Sequence, residues 1–534
     1  MNTEDVVKLT RRLVIAVLIA CGAAQYNVDD SLQNTTCAFI AVVGSVSVVI
    51  YTLSLRRFRR APMSCLMVLG FNVSALSGAL VTQSAYLRPI TYNLDVPLQT
   101  FSALALAQSL VIVVHFVYDQ SRALQALRQS ISRYVYQPIG LLEPPSALEL
   151  GIFGFLGCAA TMLAAQNYRE AVQFGDVSSK FAQGFIPFAV APFLIPMRSY
   201  ILVRESGRKQ SNWLFLTCYT AMLIAVAMAN NARATFSSGF LTLGLCCLVT
   251  VLSGNYSLTH RKIAVGLLGM CLAVPCFLTL SDLATAMVIA RDERSNVTSM
   301  ELIEITLNNF QDKQLLEDRR HRDATILGGD YNENYVSNPI FARFVYTKFV
   351  DVNMYNALNL SDSQVSEIRK QTINRIISLL PTPVINYLGI KLEKADLEYS
   401  SGDLYSFIAR GLGLGSYTTG SEIPDGLTIF GVVFWPVLAV LVLVQYIVYD
   451  AFSKIDHEGR FRISALALLN AVPVFTLGVM QESVSNQIMM ILRGIPQLIV
   501  LYWLLRLMTS VVSSTMRLLN RLGAPGRSLP RPLV

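Results

Sequence analysis

LTIFGVVFWPVLAVLVLVQYIVY, residues Leu427–Tyr449, holds no charged side chain. At about 1.5 Å per residue such a helix crosses the roughly 30 Å hydrocarbon core of a bilayer, which takes about 20 residues. The run follows a short polar stretch, Gly420–Gly426, which carries Glu422 and Asp425. Upstream lies a polar insert, residues 291–426, and before it a second apolar run, Ile263–Ala290. The same alternation continues outward. Of the 534 residues, 53% are hydrophobic and 15% charged, against about 25% charged in soluble domains. Apolar runs of membrane length recur along the chain, where a transmembrane barrel would show alternating segments of about ten residues. The pattern predicts an all-α polytopic membrane protein of about 12 transmembrane helices, with a mostly helical extracytoplasmic cap between spans nine and ten.

The twelve expected spans are 11–28, 37–55, 62–84, 97–118, 149–167, 182–203, 213–230, 234–253, 263–285, 427–449, 463–480 and 488–510. The first reads as an anchor rather than a cleaved signal, because no cleavage site is evident and further spans follow. The net charge of +8 divides unevenly. The insert holds 14 Lys and Arg against 19 Asp and Glu, so the positive excess falls in short loops and the tail. Arg56, Arg57, Arg59 and Arg60 follow the second span, and Arg122, Arg128 and Arg133 the fourth. Arg204, Arg208 and Lys209 follow the sixth, Arg261 and Lys262 the eighth, Lys454, Arg460 and Arg462 the tenth, and Arg517 and Arg521 the twelfth. Every even-numbered span ends in a basic loop, which places both termini in the cytoplasm and the insert outside. This distribution is a topology signal and requires no nucleic-acid partner. The expected organisation is spans one to nine over 1–290, an extracytoplasmic (periplasmic) helical loop domain over 291–426, spans ten to twelve over 427–510, and a basic cytoplasmic tail over 511–534.

The insert is punctuated as helices, about four in number. Thr298-x-x-Glu301 and Ser361-x-x-Gln364 are capping boxes ahead of apolar positions. The second helix stops before Pro381-Thr382-Pro383, and Gly328-Gly329-Asp330 reads as a turn. The nine cysteines, Cys21 to Cys276, all fall outside the insert and show no zinc or disulfide spacing.

Candidate chemistry gathers where the insert meets the apolar runs. Arg233 opens a span in Asn231-Ala232-Arg233-Ala234-Thr235. An arginine there either snorkels to the interface or pairs with an anion, and its fork suits a phosphate. Arg493 and Arg88 are similar boundary arginines. Arg343 stands among Phe341, Phe344 and Tyr346, where it is a better anion ligand than an arginine in a charge run. Glu422 and Asp425 are either surface turn residues or a general base. Asp403, in Ser400-Ser401-Gly402-Asp403, is either such a base or the cap of a helix over 404–410. Tyr331, Tyr335, Tyr387, Tyr399, Tyr405 and Tyr417 suit sugar faces or ordinary packing. The sequence holds no Walker loop, no paired DxD motif and no metal-ligand spacing, so neither a metal nor another cofactor is expected.

With these residues in hand, the chain resembles the bacterial O-antigen polymerase and ligase superfamily. Two stretches carry the likeness: Arg233-x10-Gly244, and Gly420 to Gly431 at the end of the insert. The resemblance implies a glycosyltransferase of the bacterial inner membrane, with a lipid-linked oligosaccharide as donor and another as acceptor. Repeat units carried on undecaprenyl pyrophosphate would be joined without metal or nucleotide, and a chain-length regulator in the membrane is an implied partner. It gives Arg233 the role of holding the lipid pyrophosphate, with Arg343 placed by loop context. Arg410 enters as a departure, because Gly420 falls one position short of a second Arg-x10-Gly; Arg493 joins as a boundary arginine. The ligase branch has a histidine near the loop's end; here Glu422 and Asp425 stand instead, which favours a polymerase. The alternatives are a transporter or flippase of a lipid-linked or anionic solute, and a glycosyltransferase using a polyprenyl-phosphate sugar.

Overall fold

The computed structural model describes residues 3–169, 181–202, 213–254, 260–293, 296–325, 334–397, 399–414, 418–455 and 461–522. The expected turn at Gly328–Asp330, Tyr331, Tyr417 and the basic loop residues Arg204, Arg208 and Lys209 lie outside them. The described chain is helical nearly throughout; its one sheet is a hairpin pairing Ser453–Ile455 with Phe461–Ile463, Lys454 opposite Arg462. Among the described residues, six helices are long and apolar enough to cross a membrane: Leu32–Thr52, Pro62–Ala85, Pro97–Gln120, Ala147–Ala164, Glu422–Asp450 and Val484–Ser510. Shorter apolar helices cover Phe181–Met197, Trp213–Ala229, Ser237–Leu252 and Pro275–Ile289.

Two expected spans are not continuous α-helices. Residues 182–203 contain a 3-10 helix, Ile186–Met197, because Pro192 and Pro196 inside it lack the N–H groups an α-helix needs. Residues 463–480 break into Ala465–Leu469 and Ala471–Leu477 around Asn470. Both segments are largely buried. Irregular backbone at membrane depth is tolerated where protein surrounds it. The run at 427–449 also differs from expectation. Its helix begins at Glu422 and kinks at Gly431, whose φ of +58° falls in a region side chains disfavour.

The helix Pro62–Asn72 lies at the centre, with ten of its eleven residues buried. Gly70 makes its packing possible: a Cβ there would overlap the backbone carbonyl of Phe475. Gly70→Ala is expected to cost about 1–3 kcal/mol or more by overpacking, read as a lowered thermal midpoint of the purified protein. An unchanged midpoint would contradict that contact.

The insert holds six helices among the described residues, Ser299–Gln311, Lys313–Thr325, Thr347–Leu358, Asp362–Ile377, Thr382–Tyr387 and Ser401–Arg410. Both capping boxes form. The first pair of helices leans on His260–Ile289, where Lys313 and Arg320 reach Asp282 at 2.7 and 2.6 Å. The next helix sinks into the main core, with Val350 and Met354 buried among the apolar helices. Its entry is fixed by the backbone. A π-helical turn at Val73–Ser77 leaves carbonyls that accept from the Tyr346 N–H (to Ser74, 2.9 Å) and the Thr347 hydroxyl (to Ala75, 2.9 Å). Asp351 then accepts from the N–H groups of Asp95 (2.8 Å) and Val96 (2.9 Å), closing the start of Pro97–Gln120. The boundary residue Arg88 donates to Ser337 Oγ at 2.9 Å.

Candidate active site

The two carboxylates expected near a surface turn lie in the first turn of Glu422–Phe430, and both are buried. Acidic groups are favoured there by the helix's free N–H groups and dipole. Each holds a different part of the segment leading into Val484–Met489. The Glu422 N–H donates to the Gln481 carbonyl at 3.0 Å, and the Gln481 N–H donates to Glu422 Oε2 at 2.8 Å. Asp425 Oδ2 accepts from the Val484 N–H at 2.9 Å, and Oδ1 from the Tyr405 hydroxyl at 3.2 Å. Asp425 is thereby committed on both oxygens. Glu422 is not: its Oε1 is buried without a hydrogen-bond partner, and so is Ser421 Oγ beside it. An unsatisfied buried acceptor costs about 1–3 kcal/mol, more when charged.

Asp403 does not cap its helix. Ser400 caps Ser401–Arg410 by accepting the Asp403 N–H at 2.9 Å. Asp403 Oδ1 instead accepts both the N–H and the hydroxyl of Thr418 at 2.7 Å. Further bonds hold the strap 418–421: Asn353 donates to the Thr419 carbonyl at 2.9 Å and Ser400 to the Thr418 carbonyl at 2.5 Å, while the neighbouring Ser401 donates to the Glu482 carbonyl at 2.6 Å. Gly402 and Gly420 let these backbones meet, since a Cβ on either would strike the other segment. Tyr346, Phe349, Ser421, Met480, Gln481 and Glu482 bound a crevice of ≈ 190 Å³ of space between atoms, with no room for a water molecule.

The arginines divide. Arg375, which the sequence did not single out, is buried, stacks on Tyr399 at 4.5 Å and donates to its carbonyl. Burial lowers its pKa below the ordinary guanidinium value, opposed by Tyr399, Asp425 and Glu482, so its charge is felt at the carboxylates. Arg410 donates to Asn356 Oδ1 at 2.6 Å and lies over Tyr355. The left-handed Gly411 that closes its helix has φ +70°. Arg233 opens Arg233–Leu252, half-buried, beside Asn231, which donates to the Met287 carbonyl at 2.8 Å. Arg493 is exposed in the π-helical turn Met490–Gly494, about 13 Å along the axis from Val484 at 1.5 Å per residue. Arg343 ends a short 3-10 turn, Phe341–Arg343, and its side chain lies outside the described atoms. Tyr335 and Tyr405 are core residues, while Tyr387 is 90% exposed.

A second buried polar cluster sits at the far end of the Glu422–Asp450 helix. Asp450 Oδ1 accepts from the N–H groups of Met63 (2.8 Å) and Ser64 (3.1 Å), and Oδ2 from Ser64 Oγ at 2.5 Å. Ser64 Oγ also meets His115 Nε2 at 2.9 Å, and His115 Nδ1 meets the Tyr51 hydroxyl at 2.8 Å. The residue types are those of a nucleophilic triad, but the connectivity is wrong. The acid there orients the histidine, whereas Asp450 binds the serine and caps Pro62–Asn72. The cluster fastens four helices. Its sequence signal was available: an acid ending an apolar run and a histidine inside one.

Among the described residues no three His, Cys, Asp or Glu side chains gather to hold a metal. Comparison with protein-family models, curated proteins and solved structures finds no match for this chain.

Proposed function

We propose that this chain is a polysaccharide polymerase of the bacterial inner membrane. It joins oligosaccharide repeat units carried on undecaprenyl pyrophosphate, using neither metal nor nucleotide. About twelve spans carry it, with both termini cytoplasmic and 291–426 forming a helical cap outside. The broken run 464–484 supports that topology. It starts beside Asp450, at one end of Glu422–Asp450, and finishes bonded to Glu422 and Asp425 at the other.

The observation that carries the enzymatic reading is Glu422 Oε1, a buried lone pair without a partner, held where the insert joins the apolar helix. In the reaction, an acceptor hydroxyl oxygen attacks the anomeric carbon of the donor's first sugar. Its proton passes to Glu422, and the bond to the lipid pyrophosphate breaks with the electron pair leaving on that group. Arginines stabilise the departing charge: Arg233, Arg343 and Arg410 by their place in the sequence, and Arg375 by its interaction with Asp425 and Glu482.

The transporter reading draws on a separate observation. Gln108, Gln445 and Gln487 are buried in apolar helices with unpartnered amide atoms, and broken helices with buried polar groups suit a solute path. One experiment separates the two. The purified full chain in nanodiscs receives a lipid-pyrophosphate-linked oligosaccharide without nucleotide or metal. A product ladder with released lipid pyrophosphate is expected, and its loss in Arg233→Ala. Lipid crossing between leaflets of vesicles, with no ladder, would overturn the polymerase reading in favour of transport.

A further inference from the structure

A concave basic surface lies at the opposite end of the molecule from the carboxylates. It encloses ≈ 870 Å³ between the first helix, the link from Leu32–Thr52 to Leu55–Arg60, and the hairpin strand ending at Ile455. That volume is within the range of about 300–1,000 Å³ typical of small-molecule sites. Lys8, Arg11, Arg56, Arg59 and Arg60 line it, and Glu4 is the one acid among the described lining residues. Glu4 is already engaged with Lys8 at 2.8 Å, and Arg60 with Asp119 at 3.3 Å. Arg57, on the same short helix, stacks over Tyr51 instead of lining the hollow. The hollow also has an apolar floor in Val7 and Leu53, both buried, with Ile455 exposed at its rim.

The positive-inside rule accounts for basic residues in a loop. It does not account for Arg11, Arg56 and Arg59 lining one hollow beside two further cations, Lys8 and Arg60, that acids already hold. It also gives no reason for apolar residues at the bottom. Guanidinium forks bind phosphate oxygens in pairs, and basic pockets beside membrane helices accept lipid headgroups above an apolar stem. We propose that this hollow binds a phosphate-bearing anion, through Arg11 and Arg56 with Lys8 and Arg59 around it. A phosphodiester headgroup over an acyl stem fits both the charge and the floor. The site is separate from the proposed glycosyl transfer and does not depend on it.

The test is native mass spectrometry of the full chain released from detergent with added phosphatidylglycerol or phosphatidylcholine, together with a thermal-shift titration of inorganic phosphate. Phosphatidylglycerol adducts are expected to survive on the wild type and fall about tenfold in Arg11→Gln/Arg56→Gln. Arg122→Gln, which removes a charge from the exposed side of another helix, is expected to leave them unchanged. If the double variant is not monodisperse, Arg56→Gln alone serves, since Arg56 is exposed. Stabilisation by inorganic phosphate that the variant loses, without preference for the lipid, also supports the site and identifies a free phosphate as its source. Equal retention of phosphatidylglycerol by wild type and variant, with no stabilisation by inorganic phosphate that the variant loses, overturns the proposal.

Discussion

Glu422→Gln is expected to reduce ladder formation by about 10²- to 10⁴-fold, the range that a positioned general base contributes. The amide keeps the volume, and its oxygen still accepts from the Gln481 N–H, so the bridge to residue 481 survives. What is lost is the ionisable oxygen Oε1. The loss is expected in kcat, with donor binding and thermal midpoint near those of the wild type. Asp425→Asn provides the contrast. Both Asp425 oxygens are occupied, by Tyr405 and Val484, so it is a positioning residue, and its loss is expected to lower stability together with activity. A normal ladder from Glu422→Gln would remove the base from the proposal.

Asp351→Ala is expected to cost roughly 3–5 kcal/mol, as breaking a buried ion pair from one side does. The change strips the start of Pro97–Gln120 of its acceptor, leaving the Asp95 and Val96 N–H groups and the Thr100 hydroxyl. It also leaves the buried Lys348, 3.2 Å from Asp351, with only the half-exposed Asp95. Asp351→Asn, which keeps an acceptor oxygen, is expected to cost less. Unfolding by denaturant titration in mixed micelles measures both, and similar midpoints for Asp351→Ala and wild type would show that the insert is not anchored there. The pH dependence has a definite sign. Burial pushes the Asp351 carboxyl above its ordinary 3.8, against the pull of Lys348 and the two N–H groups. The folded chain therefore holds this proton more readily than the unfolded chain. The stability that protonation lends is fully present below 3.8 and is lost as pH rises through the folded value. Lowering the pH from neutrality towards that window is expected to widen the gap between wild type and Asp351→Ala.

Much of the helical architecture was readable because it rests on local chemistry. Apolar length reports membrane-spanning capacity directly, and the capping boxes at Thr298 and Ser361 involve residues three apart. Discontinuity was harder to read. Pro192 and Pro196 stood in the expected span 182–203, whose apolar length masked the 3-10 segment they impose, and the break at Asn470 becomes tolerable only because surrounding helices bury it. The candidate site was half legible. Glu422 and Asp425 were visible as carboxylates before an apolar run, yet the same letters fit a solvated turn. Arg375 was hidden in a charge-mixed helix, and its burial against Tyr399 depends on residues distant in sequence.

The sequence by itself determined that the chain is helical, apolar enough for a bilayer, basic in alternate loops and interrupted by one acidic insert. Composition and near-neighbour spacing are sufficient for each of these. Only the tertiary structure decided that the insert sinks a helix between the apolar ones, that Asp425 is fully bonded while Glu422 keeps an open oxygen, and that Asp450, Ser64 and His115 form a fastening rather than a triad. The physical reason is common to all three. A buried polar atom must find its partner wherever the chain brings one, and the Gln481 N–H that reaches Glu422 comes from beyond the whole of the next apolar run.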